Sequence, residues 1–383
     1  MRSPRRIASA AALTTAALGT FAFTAASASA ATSGHDWATG ASHAVFVQTD
    51  NLSGNQVVAY DRAADGTLTW AGTYNTKGLG GQLTGSVVDH VASQGSLVYD
   101  QAHNLLYAVN AGSNTVSVFA ASGDQLHLTQ VIGSGGTFPV SIAVHGDLVY
   151  VANALNGGSV QGYRVSSGRL QVISGSNRPL NLSTTATPQF TNTPGQVAFT
   201  PNGLHLIVTT KANGDNIDVF GVGVNGYLSA QPVVNNEPNE VPFGIAFDPA
   251  GHLVIAESAT NSAVATFAVH PDGQVTQLDQ VLTGQAATCW VAEDFNHAFA
   301  DNAGSASVSS LTVSKTDQLT LNGNTSTDPG TVDAAVAPHG RFLYVQTGGN
   351  GIVDEFSVDG GHLSEIGSVT VPGAVGGEGI VAA

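Results

Sequence analysis

The chain has 383 residues, with 11 Lys+Arg against 27 Asp+Glu and a formal net charge of −16. Setting aside Arg2, Arg5 and Arg6 of an N-terminal export segment leaves 8 basic residues and a net of −19. Such a surface excludes nucleic acid and anionic membrane as partners, since both need a basic face. The single cysteine, Cys289, cannot form an internal disulfide, so the fold must be held by its hydrophobic core.

Residues 1–30 read as a signal peptide: arginines, an Ala/Leu/Phe run, then small residues that place cleavage near Ala28 to Ala31. The apolar run is short of the roughly 20 residues that span a bilayer and is broken by threonines and a glycine. "PRRIAS" matches a twin-arginine signal poorly, so Sec export and a secreted, extracellular product are expected.

From residue 42 to 383 the chain repeats itself, and a single domain is expected there. A short apolar run ends in a large residue seven times: Tyr60, Phe119, Tyr163, Phe220, Phe267, Leu311 and Phe356. The spacings are 59, 44, 57, 47, 44 and 45 residues, a period near 45 with two insertions. Each copy is followed by a turn such as "DGTL", "NGYL" or "GGHL" that leads into Leu68, Leu126, Leu170, Leu228, Val275, Leu319 or Leu363. Asp-Gly, Asn-Gly and Gly-Gly between apolar residues are hairpin signals, because they accept φ > 0. Upstream lie two further strands, as in "VPFGIAFDPAGHLVIAES" from Val241 to Ser258.

Four short strands per unit at this period predict an all-β, seven-bladed β-propeller of four-stranded antiparallel blades. The first unit begins at its second strand, "SHAVFVQTD", and the tail "GGEGIVAA" from Gly376 to Ala383 resembles the missing first strand. The C-terminal strand is therefore expected to pair into blade one and close the ring, leaving no free edge.

The motifs "HNLLYAVNAGSNTVSVFAASGDQL", "HGDLVYVANALNGGSVQGYRVSSGRL" and "HGRFLYVQTGGNGIVDEFSVDGGHL" resemble the lactonase family of seven-bladed propellers. That family includes bacterial 6-phosphogluconolactonases and 3-carboxymuconate-cyclase-like proteins. The resemblance covers the mature chain and implies hydrolysis of a lactone or related cyclic ester at the mouth of the central channel. Family enzymes carry histidine and arginine around the channel. Here the innermost-strand entries read Val140, Gly195, Phe243, Cys289, Asp333 and Glu378, and eight basic residues supply little for a phosphorylated substrate.

Three catalytic candidates follow from placing these positions in a ring. Asp333 and Glu378, in adjacent units, would act as general acid and base or hold a cation, and His90 with Asp89 closes the first insertion, Asn75 to Ser93. Asn110, Asn153, Gln196, Asp301 and Asn302 are the candidates for holding a sugar or lactone carbonyl, with Thr210, Ser258 and Thr347 at similar strand ends. The second insertion, Gly175 to Thr193, joins the first as a loop expected to cover or form a binding site.

In "CWVAEDFNHAFADN" the turn residues Glu293, Asp294 and His297 fall about 15 Å of strand away from Cys289, so they do not form one site with it. The sequence has no H-E-x-x-H, P-loop or paired C-x-x-C, and no metal or cofactor is expected. The expected partner is a small molecule or glycan at the channel mouth, bound by a monomer. The alternative to a lactone hydrolase is a non-enzymatic propeller that presents its face loops to a ligand.

Overall fold

The computed structural model describes residues 43–383, and the export segment lies outside them. Seven antiparallel sheets follow one another around a ring. Blade one runs outward from Ile380–Ala382 through Ala44–Gln48 and Gln56–Arg62 to Leu68–Asn75. Each later blade takes its strands in chain order. Blade three carries one extra short strand, Arg178–Pro179, from the second insertion.

The sequence columns have a physical reason. All seven large residues lie in third strands and are at most 2% exposed. In five blades the register with the fourth strand slips at this residue, from Tyr60 through Phe119, Phe267 and Leu311 to Phe356. Such a bulge re-aims a side chain and bends its strand. The side chains pack against the preceding blade, so the core is a circle of separate clusters. One joins blades seven and one through Tyr60, Phe342 and Tyr344, and another joins blades one and two through Phe46, Leu106 and Phe119. Each junction therefore depends on the ring being closed.

Closure is made by the tail. Ile380, Val381 and Ala382 pair with Val47, Phe46 and Val45, and the amide of His43 donates to the carbonyl of Ala383 at 2.9 Å. Four residues beyond the partner of each column residue, at the end of the second strand or one residue past it, stand Thr49, Asn110, Asn153, Thr210, Glu257, Asn302 and Thr347. In blade five this position is Glu257, one residue before the Ser258 that the sequence suggests.

Two tests follow from this layout. Deleting Gly376 to Ala383 exposes the edge of Ala44–Gln48 and opens the junction of blades seven and one, so loss of cooperative unfolding is expected, at more than about 4 kcal/mol. A truncated chain with the full-length melting profile would disprove closure.

The second test concerns pH. Burial pushes the carboxyl of Asp218 up to about 7 and that of Glu257 up to about 8. The folded state then binds more protons than the unfolded chain between about pH 4 and 8, and stability falls as pH rises through that window. Melting temperature should drop from pH 5 to pH 8, with a shallower slope in Glu257→Gln. An unchanged slope in that variant would remove this cause.

Candidate functional site

The ring's axis is filled by its own chain. The end of the first insertion and the two residues after it, Ala92 to Gly95, run through the centre before the short innermost strand of blade two, Leu97–Asp100. Backbone placed in a dry interior must have its polar groups bonded. Here other blades supply the partners. Lys211 Nζ donates to the carbonyl of Ala92 at 2.6 Å, and the indole N–H of Trp290 donates to the carbonyl of Ser93 at 2.5 Å. The amide and hydroxyl of Ser93 donate to the carboxylate of Glu378 at 3.0 and 2.6 Å. The amide of Gln94 reaches Gly195, and its side chain bonds both backbone groups of Val291.

Above this plug, on the side of blades four to six, lies a cavity of about 430 Å³. Its walls are apolar: Val87 and Val88 from the first insertion, Phe190 from the second, and Val241, Phe243 and Trp290 from blades five and six. Its polar groups include Asp89, Thr191, Lys211, Ser258 and Cys289. Both insertions thus contribute to it. The innermost strands of blades five and six are bulged where they enter, between Pro242 and Ile245 and between Thr288 and Trp290. Phe243 and Cys289 sit at those bulges, beside residues held in the left-handed region, Val241 (φ 54°) and Ala287 (φ 55°). Bulges next to a site re-aim side chains in this way.

Lys211 is the residue sequence reasoning missed. It follows the end of a second strand, has φ 53° and is 1% exposed. Its ammonium bonds the carbonyls of Ala92 and Phe190, each at 2.6 Å, so one cation ties the plug to the second insertion. The ring of Phe243 lies 5.0 Å from it. Burial lowers its pKa, against the opposing pull of Asp89 and Glu378. Burial also drives the carboxyl of Asp89 up, with Lys211 drawing it back. Glu378 is raised by burial and by the charges of Asp89 and Asp50. Cys289 is raised by burial first and then by Asp89, so its sulfur stays a thiol and a poor nucleophile. The signal in the sequence was weak: a lysine in a chain with few of them, just past a strand end.

The candidates from sequence fall in several places. Glu378 shares the charge network of Asp89 and Lys211 but is fully buried and bonded to the plug. Asp333 accepts from the amides of Ala334 and Ile380 at 3.0 and 3.3 Å. His90 packs against Gly376, where a Cβ would meet its ring, and its Nδ1 lies 3.2 Å from the carbonyl of Asp50. Asn110 and Asn302 bond hydroxyls of their own blades, Thr115 and Ser117 in one case and Thr288, Ser307 and Ser309 in the other. Asn153 donates to the carbonyl of Ser134, and Gln196 accepts from the amide of Ile245. Asp301 is buried between blades six and seven. None of these residues lines the cavity. Glu293, Asp294 and His297 lie at the opposite hairpin, where Asp294 pairs with His297.

No family model matches the sequence, and no curated protein matches it. The fold does have relatives among solved structures. A provisionally assigned 6-phosphogluconolactonase of Bacteroides uniformis is 18% identical with a TM-score of 0.70. A periplasmic gluconolactonase of Pseudomonas aeruginosa is 20% identical with a TM-score of 0.67, and a protein of Lactobacillus plantarum is 20% identical with a TM-score of 0.68. Each match covers 88% of this chain and 98% of the other. At this identity the likeness establishes the shared fold.

The stapling role of Lys211 has its own test. Lys211→Met keeps the stem but leaves the carbonyls of Ala92 and Phe190 without their donor, at a cost of about 1–3 kcal/mol for each buried group left unpaired. Limited proteolysis should then cut within residues 75–93 and 175–193 at least about tenfold faster, as expected when local opening costs less. Equal cutting rates would show that the loops are held by other contacts.

Proposed function

We propose that this lactonase-type propeller is an exported hydrolase of apolar lactones, working in the cavity above the plug. The observation that carries the reading is the lining: apolar side chains from two insertions and two blades, around one carboxyl and one ammonium. A polyhydroxylated sugar lactone would find few hydrogen-bond partners on such walls, whereas an alkyl or aryl lactone buries its surface there. The neighbour described as a periplasmic gluconolactonase supports lactone chemistry and a location outside the cytoplasm, as does the signal sequence.

Asp89 is assigned as general base. A carboxyl raised by burial keeps its basicity near neutral pH, which suits proton transfer from water. The water oxygen then attacks the lactone carbonyl carbon. Lys211 has two of its three N–H groups on Ala92 and Phe190, and the third stabilises the developing oxyanion in a water-poor site. The ring C–O bond breaks, the leaving alkoxide takes the proton from Asp89, and the product is a hydroxy acid.

A hydrolysis panel on the mature protein tests this. Turnover of δ-decalactone or dihydrocoumarin should exceed that of glucono-δ-lactone by at least about tenfold in kcat/KM, since each buried methylene contributes about 0.8 kcal/mol. Asp89→Asn should lower kcat about 10²–10⁴-fold, the range of a general base. Preference for the sugar lactone, or full activity in Asp89→Asn, would overturn the assignment. Binding of apolar lactones with no turnover would make the chain a binding propeller.

A further inference from the structure

A second site lies away from the cavity, in the wall between blades six and seven. Asp301 is on the second strand of blade six, His297–Asn302, and is 0% exposed. No described residue forms a hydrogen bond with either of its carboxylate oxygens. A fully buried carboxyl with two bare oxygens is rare, because its desolvation must be offset by donors, by a cation or by holding a proton.

The same position in the next two blades repeats the pattern. Asp301, Gln346 and Gln48 each pair with a valine of the third strand, Val308, Val353 and Val57. All three are fully buried, and the side-chain oxygens of Gln346 and Gln48 are bare as well. Their amide nitrogens are committed elsewhere, Gln346 to the carbonyl of Gln48 at 3.1 Å and Gln48 to Asp50 at 2.5 Å. What remains along this arc is a run of acceptors with no donor facing them. Asp333 adds a second carboxylate, which acts on Asp301 across the blade junction and is itself 4% exposed. No basic side chain is among the groups that act on either residue. Lys211, the buried cation, bonds Ala92 and Phe190 instead.

We propose that Asp301 and Asp333 hold a hard divalent cation of the calcium type in the wall between blades six and seven. Oxygen-only ligands with two negative charges suit such an ion, and amide and backbone oxygens complete its shell in sites of this chemistry. The ion would have to displace the proton that burial favours on these carboxyls, and would then tie blade six to blade seven near the closing strand, since Asp333 also bonds Ile380. A different acidic group, Asp248, His252 and Asp317, is the one cluster of three metal-type ligands in mutual reach among the described residues. Its members already bond one another, with His252 Nδ1 at 2.8 Å from Asp317 and 3.3 Å from Asp248, so it serves as the control.

The test compares native protein, Asp301→Asn and Asp317→Asn after chelation, melted with and without millimolar Ca²⁺ at constant ionic strength. A saturable rise on the order of 5 °C is expected for the native protein and for Asp317→Asn, and none for Asp301→Asn. A second reading avoids the variants altogether. Trp290 is the cross-strand partner of Asp301, so Tb³⁺ bound to the native protein should luminesce on indole excitation, and Ca²⁺ should quench it by competition. No calcium-dependent shift in the native protein, a shift that survives Asp301→Asn, or no sensitised Tb³⁺ emission would each overturn the proposal.

Discussion

The structure depends on one constraint: a stretch of backbone, Ala92 to Gly95, occupies the axis of the ring, where water cannot satisfy it. An unpaired buried amide or carbonyl costs about 1–3 kcal/mol, so the plug is tenable only because blades distant in sequence supply its partners. Glu378 comes from the segment just before the closing strand, Lys211 from blade four and Trp290 from blade six. The charges that look most like chemistry in the sequence are therefore partly scaffold. Glu378 serves the amide of Ser93, and Asp333 serves the amides of Ala334 and Ile380.

The plug also decides where a ligand can go. With the centre filled, the open volume is displaced to one side, under the two insertions. Lys211 joins these layers, because its two short bonds end on the plug and on the second insertion. The same ammonium lines the cavity together with its one acid, Asp89, and its charge acts on that acid. Scaffold and proposed chemistry therefore share a residue, and the site's geometry is set by the bonding of the plug beneath it.

The acidic character of the chain acts on two levels. At the level of the whole sequence, 27 acidic against 11 basic residues give a formal net charge of −16, which makes the chain repel itself. Inside, Asp301, Asp333, Asp50 and Glu378 lie along the arc of blades six, seven and one, with electrostatic influence passing from each to the next. Backbone amides satisfy part of that arc. Asp301 is the member they do not reach, and this separates a structural carboxylate from one suited to a cation.

Much of the fold was legible in the amino-acid order. The column from Tyr60 to Phe356, the hairpin turns after it and the strand-like tail define seven blades and their closure, because burial against a neighbouring blade imposes the same residue at the same place in every unit. The insertions were also legible as long loops, and both line the cavity. The site was not. Lys211, Phe190 and Trp290 are 21 to 100 residues apart and carry no local pattern; they meet only because the ring brings blades four to six and both insertions together. Asn110, Asn153 and Asn302 looked like a binding ring, yet all three are buried and donate to groups of the protein itself. Periodicity reports what each blade shares with the next, so the sequence alone determines the architecture. The plug, the cavity and the bare carboxylate of Asp301 break that symmetry, and only the tertiary structure could decide them.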